Sequence, residues 1–355
     1  MEGLDFNGAA RYTRYSTSGG VTTWKAGLTY SPIPDITLRA TASRDIRAAN
    51  MSELFDAGTA RSNAVSINGV ATPFVQNLKG STEVEPEVAD GLGLGVVFQP
   101  SFLPGFAASI DYYEIKVEGV ISFVTAQDSA DFCLLNNVQR YCSNLRYENG
   151  RLAFIDLFYE NLNSLSAKGL DIEASYRTSL DTFIPSAAGD LSLRAMATHY
   201  IQNATDNGVT AIDLAGSNVS ATPDWVYRVT AAYDLDPISL NFTARGVSDG
   251  VISNAYTECT SACPTLAPPY YTINDNNIEG ALYFDASATY AFDLGQSGAS
   301  GEAYISIKNL FNNDPPLTAN PAALGAENTV GYLQTNRSLY DVLGRTFRVG
   351  LRLAF

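Results

Sequence analysis

The sequence predicts an all-β protein, an antiparallel transmembrane β-barrel of about twelve strands. Three observations predict it: a strictly alternating final segment, links that alternate in length, and strand charges that share one parity. From Phe347 onward every second residue is apolar, namely Phe347, Val349, Leu351, Leu353 and Phe355. Thr346, Arg348, Gly350, Arg352 and Ala354 lie between them. Successive side chains of a strand point to opposite faces, so this segment has an apolar face and an arginine-bearing one. A soluble sandwich edge can alternate in the same way. An aromatic residue closing a long amphipathic strand points instead to a bacterial outer-membrane barrel.

Composition bounds the answer without deciding it. A chain of 355 residues can form two soluble domains or one large barrel. Charged residues make up 17 %, below the roughly 25 % of soluble domains. Apolar residues reach 46 %, yet no run approaches the ~20 residues of a transmembrane helix. Apolar character spread thinly suits a wall that touches lipid with alternate residues only. The net charge of −15 excludes a nucleic-acid partner, whose phosphates need a basic surface. Met1 to Phe6 has neither a basic nor an apolar leader region, so no signal peptide is expected, and the strand pattern starts at once.

The strands follow in order from period-two alternation between turn residues. Leu4 to Tyr15 sets Leu4, Phe6, Gly8, Ala10 and Tyr12 against Asp5, Asn7, Arg11 and Thr13. Val21 to Ser31 sets Trp24, Ala26, Leu28 and Tyr30 against Lys25 and Thr29. Ile36 to Arg44 alternates Ile36, Leu38, Ala40 and Ala42 with Thr37, Arg39, Thr41 and Ser43. Val88 to Gln99, Phe106 to Val117 and Leu162 to Arg177 come next. Leu191 to Ile201, Trp225 to Leu235, Ile238 to Ser248, Leu282 to Asp293, Ala303 to Leu310 and Tyr340 to Phe355 complete the set. No helix-period stretch longer than a loop turn competes.

The links are short at one end, as at Pro32 to Asp35, Pro100 to Pro104, Asp236-Pro237 and Leu294 to Gly301, with Thr178 to Gly189 somewhat longer. At the other end they are long: Asp45 to Glu87, Glu118 to Asn161, Gln202 to Asp224, Asp249 to Ala281 and Phe311 to Leu339. Only Ser16 to Gly20 is short there. That asymmetry belongs to outer-membrane barrels, and a soluble domain seldom carries several loops beyond ~15 residues. Arg11, Lys25, Arg39, Asp111, Asp171, Glu173, Arg228, Arg245, Asp285, Lys308, Arg348 and Arg352 all oppose the apolar parity. A charge facing mid-membrane lipid costs roughly 2–4 kcal/mol, so the polar face belongs to a lumen. Arg14, Glu114 and Lys168 break the parity near the long-loop ends, within reach of headgroups or water.

Several segments resemble the C-terminal barrel of TonB-dependent outer-membrane receptors. Ser43-Arg44-Asp45-Ile46-Arg47-Ala48-Ala49-Asn50 leads into Met51-Ser52-Glu53-Leu54-Phe55, like that family's strand exit and "SELF" loop. Glu85-Pro86-Glu87 is similar to its strand entry, and Ile110 to Ile115 and Lys168 to Ala174 to two barrel strands. Lys308-Asn309-Leu310-Phe311-Asn312-Asn313-Asp314-Pro315-Pro316 is the sharpest match, followed by Tyr340-Asp341 and Gly344-Arg345-Thr346-Phe347. The resemblance implies the C-terminal part of a 22-stranded barrel around a plug domain, importing a scarce ligand with energy from the TonB-ExbB-ExbD complex. The plug and the first strands have no counterpart in the sequence, so the domain expected over 1–355 is a partial barrel. A siderophore, cobalamin, glycan or similar small-molecule or oligosaccharide ligand is implied; a passive porin-like channel or a surface-binding adhesin barrel is the alternative.

Chemistry is sparse, and neither an enzyme nor a cofactor is expected. Any Ser–His–Asp arrangement would need the single His199, which has no nucleophile-elbow context. Gly91-Leu92-Gly93-Leu94-Gly95 lies in a strand with no following helix, so it is not a phosphate loop. Cys133 with Cys142 and Cys259 with Cys263 read as two local loop disulfides of an oxidising compartment, without the further ligands a zinc site needs. Asn274 to Asn277 reads as a turn, lacking EF-hand spacing. Tyr141, Tyr147, Tyr159, Tyr270, Tyr271 and Tyr332 are the loop tyrosines that could stack on a ligand, or simply pack or form an interfacial girdle. In the resembled family, Phe347, Val349, Leu351, Leu353 and Phe355 would carry the signal read by the barrel-assembly machinery.

Overall fold

A computed structural model describes residues 3–185, 187–206, 210–266, 270–295, 299–318 and 334–354. Twelve antiparallel strands form one continuous wall, each paired to its predecessor in the wall. They are β1 Gly3–Tyr15, β2 Gly19–Ile33, β3 Ile36–Arg47, β4 Glu87–Phe98, β5 Phe106–Ser122 and β6 Glu160–Ser179. The second half comprises β7 Asp190–Asp206, β8 Trp225–Leu235, β9 Ile238–Val247, β10 Ala281–Asp293, β11 Ser300–Lys308 and β12 Thr346–Ala354. A short strand, Ala211–Asp213, adds to β7 off this path. Among the described residues no helix is long and apolar enough to cross a membrane, which says nothing against crossing with strands.

The register turns parity into two faces. Phe242, Ala286, Ile307 and Phe347 are successive partners across β9 to β12, and Leu240, Ala288, Ile305 and Val349 form the next such row. The intervening rows carry Thr243 with Asp285, Ser306 with Arg348, and Glu302 with Arg352. The apolar face has no packing partner among the described residues: Phe347, Val349 and Leu351 are all exposed. An apolar surface this extensive on a well-paired sheet is the face that meets lipid. Aromatic pairs line its short-turn rim, with Phe98 against Phe106, Tyr176 against Phe183 and Tyr290 against Phe292. At the long-loop end His199 stacks on Trp225 at 4.5 Å, and Phe284 meets both Phe242 and Phe311. His199 is thus a rim residue whose Nδ1 lies 2.8 Å from the Asp224 carbonyl.

The structure moves several expected boundaries. The last strand starts at Thr346 rather than Tyr340, because Tyr340 is buried in a loop core and Gly344 adopts a φ of 68°. The eleventh ends at Lys308, where fully buried Asn309 turns the chain with a φ of 52°. The seventh runs on to Asp206 past a bulge opposite Lys168/Gly169, where Ile201 has no register partner. That extra residue reverses the parity beyond it, which hid the continuation.

More charges than Arg14, Glu114 and Lys168 fall on the apolar parity, and Arg44, Asp90, Lys116 and Glu118 among them find partners. Arg44 pairs with Asp90 at 2.7 Å, Lys116 with Glu118 at 2.6 Å, and Lys168 with Glu114 at 3.0 Å. All sit toward the long loops, so the apolar band ends lower over β3 to β6 than over β8 to β12. Arg14 lies opposite Gly20 beside the first turn.

The two faces differ in what they tolerate. Ile305→Arg should lower unfolding free energy in lipid vesicles by about 2–4 kcal/mol, whereas Ser306→Arg next to it should change it far less. Urea unfolding followed by heat-dependent gel mobility separates them; equal losses would contradict the assignment of faces.

Candidate functional site

The polar face is a lattice of charge pairs rather than a scatter of charges. Arg39 Nε donates to Asp111 Oδ1 at 2.7 Å across the intervening strand, and the residue between them in register is Gly95. A Cβ at Gly95 would collide with both side chains. Gly91 and Gly93 likewise leave room for Ser43 and Thr41, so the glycine run in β4 makes space on the lumen side. Thr198 Oγ1 donates to Asp171 at 2.6 Å, and Arg194 Nε to Glu173 at 2.9 Å. Arg245 donates to Asp285 and to Asp341, both at 2.8 Å, and lies over the Tyr283 ring.

Some of these charges reach into the loops and fix them to the wall. Arg47 at the end of β3 bonds Glu87 at the start of β4 and Glu53 of helix α1, Met51–Phe55. Glu87 also accepts from the Ile121 amide at 2.7 Å, which draws β5 into the same knot. Asn50 and Glu53 cap α1 reciprocally, so the "SELF" segment is one capped helical turn held by an arginine. Arg245 does the equivalent at Asp341, in the loop before β12.

Above the wall, two long loops fold together into a cap. The hairpin Thr59–Ile67 and Val70–Lys79 from one loop pairs in parallel with Arg151–Phe158 of the other, which pairs with Leu145–Glu148. Helix α2, Ala126–Leu134, seats Ala126 and Ala130 on this sheet among Val65, Phe74, Leu145, Leu152, Ile155 and Leu157. Gln127 bonds both the amide and the carbonyl of Ser66, locking helix to hairpin. A short helix α3, Gln139–Cys142, follows, and Cys133 is disulfide-bonded to Cys142. The expectation of loops without helices longer than a turn therefore fails here. A second cluster joins Val247 at the end of β9 with Ile252, Ile273 and Ile278 of the following loop and Tyr340 of the loop before β12, and Val219 of a third loop packs against it. Buried Asn218 donates to the Tyr340 hydroxyl at 2.7 Å and to the Ser248 carbonyl at 3.1 Å, and Cys259 is bonded to Cys263 nearby in sequence.

The five described tyrosines do not form one cluster. Tyr141 is buried against Phe132, and Tyr159 is half-buried with its edge on Phe123. Tyr147 and Tyr270 are exposed, and Tyr271 pairs edge-on with Tyr256 at 5.7 Å. Tyr332 and Phe355 lie outside the described residues. Burial, with the charges of Asp131 and Asp128 on α2, raises the Tyr271 phenol above its ordinary value. Burial likewise pushes Tyr141 up to about 12, helped by Glu160. Asn274 to Asn277 brackets a loop: the Asn276 amide donates to Glu258, and its side chain donates to the Ser253 carbonyl. Among the described residues no cluster of three or more His, Cys, Asp or Glu could hold a metal. The cap and the wall-to-loop knots were not foreseen; the Met51–Phe55 segment and the paired cysteines were their only sequence signals.

The profile described as "TonB dependent receptor-like, beta-barrel" matches residues 1–351. The chain belongs to that family. Solved structures agree in fold. A ferric enterobactin receptor of Pseudomonas aeruginosa superposes with a TM-score of 0.63 at 16 % identity, covering 99 % of this chain and 42 % of that one. The siderophore receptor PirA of Acinetobacter baumannii gives 0.61 at 13 % identity, with 99 % and 43 % covered. The FrpB iron transporter of Neisseria meningitidis gives 0.54 at 14 % identity, with 98 % and 42 % covered. The chain thus spans less than half the length of these structures. No curated protein sequence matches it.

Two outcomes test the cap. Replacing Cys133 and Cys142 by Ala should cost it about 2–3 kcal/mol, as expected for releasing a short closed loop. Faster proteolysis between 119 and 159, with the wall intact, would show it. Because the folded Tyr141 phenol ionises near 12 and an unfolded one near 10, cap stability holds below pH 10 and falls as pH rises toward 12. Tyr141→Phe should remove that share of the alkaline loss in amide-exchange measurements.

Proposed function

We propose that this chain is the C-terminal wall and loop cap of an outer-membrane receptor that takes up a scarce ligand by TonB-coupled transport. The observation that carries this reading is the union of an ion-paired polar face with folded loops anchored to that same face. A wide water-filled pore needs no such lattice, whereas a wall that must hold a plug gains from fixed, paired donors and acceptors. The outer edges of β1 and β12 pair with no other described strand, and lipid does not tolerate open edges. Further strands of a larger barrel would close them, in line with the coverage of the matched structures.

A ferric siderophore is the first ligand to test, since the similar structures include siderophore receptors. The plug-borne contact with the TonB-ExbB-ExbD complex and recognition of β12 by the barrel-assembly machinery complete the scheme. The test is uptake of labelled ferric siderophores by iron-starved cells carrying the parent protein. Uptake should vanish without TonB and fall sharply when residues 119–160 are deleted with the barrel still assembled. Uptake indifferent to TonB would favour a passive channel, and binding without uptake would favour an adhesin.

A further inference from the structure

The cap contains a pocket of about 150 Å³ beside α2, α3 and the first residue of β6. Ser129 and Tyr141 line it and are almost wholly buried, at 1 % and 3 % exposure. The Ser129 hydroxyl has no hydrogen-bond partner there, which is a costly arrangement for a buried donor. Arg140 donates to the Tyr141 hydroxyl at 2.6 Å, and that hydroxyl donates to Glu160 at 3.2 Å. The phenol therefore stands between a cation and a carboxylate, with Arg140 also over its ring at 4.6 Å. Val124 and Leu157 supply apolar wall.

We propose that this pocket binds a free α-amino acid with a small apolar side chain. A guanidinium and a carboxylate in one small cavity match a ligand that carries both opposite charges. A lone anion would face Glu160, and a lone cation would face Arg140. The amino acid carboxylate goes to Arg140, its ammonium to Glu160, and the Ser129 hydroxyl gains its missing partner. The side chain lies on Val124 and Leu157. The volume falls short of the roughly 300 Å³ at which drug-sized pockets begin, so one small molecule fills it. The inference stands apart from the uptake reading, because the site is built from cap residues and the first residue of β6 and its binding is read without transport.

Calorimetric titration of the full chain in detergent micelles with L-valine, L-leucine and L-alanine tests it. Saturable one-to-one binding of at least one is expected. The N-acetyl and amide derivatives of that amino acid, each lacking one charge, should bind about ten-fold more weakly or worse, the size of one lost charged hydrogen bond. Arg140→Gln and Glu160→Gln should do the same. Ser129→Ala removes only a hydroxyl and leaves the cap folded, so it should weaken binding several-fold with the Tyr141 titration unchanged. Absence of saturable binding for all three amino acids would overturn the proposal. So would equal affinity for the derivatives, or unchanged affinity in all three variants.

Discussion

Everything in this fold depends on one demand: hydrocarbon offers backbone amides no hydrogen-bond partner. The wall answers with twelve strands paired antiparallel in sequence. That register fixes the side chains as well, because a slip of one residue would turn every apolar row inward and every charge outward. The rows of Phe242 and Leu240 and the charges of Arg245, Asp285 and Arg348 are therefore consequences of one alignment. The bulge opposite Lys168/Gly169 is placed toward the long-loop side, near the paired charges that mark the end of the apolar band, and a second register shift, between Tyr30 and Ile33, lies beside a short turn.

Beyond the hydrocarbon the demand changes, and so does the construction. The cap has what the wall lacks, a dry interior, with Ala130 of α2 and Ile155 of the sheet both fully buried. It is assembled from two loops around a small apolar core, and a disulfide closes one of them. Its links to the wall are electrostatic. Arg47 and Glu87 gather β3, β4, β5 and α1 at one point, and Arg245 gathers β9, β10 and the loop at Asp341 at another.

The wall was legible in the sequence because lipid on one side and water on the other impose a period of two on every strand. All twelve strands follow from it. Their ends do not, since Tyr340 and Asn309 stop a strand through loop packing that no alternation encodes. Arg44, Asp90 and Lys116 show the same limit: parity alone sets them against lipid, and only the register reveals the carboxylate or ammonium beside them. The cap was illegible for a related reason. Its parallel pairing joins residues 75–79 to 154–158, and contacts at that separation leave no local period. The glycine run in β4 looked like a nucleotide motif out of context and is space for Ser43, Thr41 and Arg39.

Under the receptor reading proposed above, this division of labour constrains where ligand recognition can evolve. A substitution on the wall must satisfy lipid, a neighbour in register and a charge partner at once. Arg39 cannot change without stranding Asp111, and Gly95 cannot grow without displacing both. The loops carry no such triple burden. Apart from the short strands of the cap sheet and residues such as Asn218, Tyr340 and Glu53 that bind the loops to each other or to the wall, their exposed side chains are not set by a strand register. Specificity can then vary across the cap while the wall and its anchors keep the cap in one position. That freedom rests on Arg47 and Arg245, whose loss would release the loops without opening a single strand.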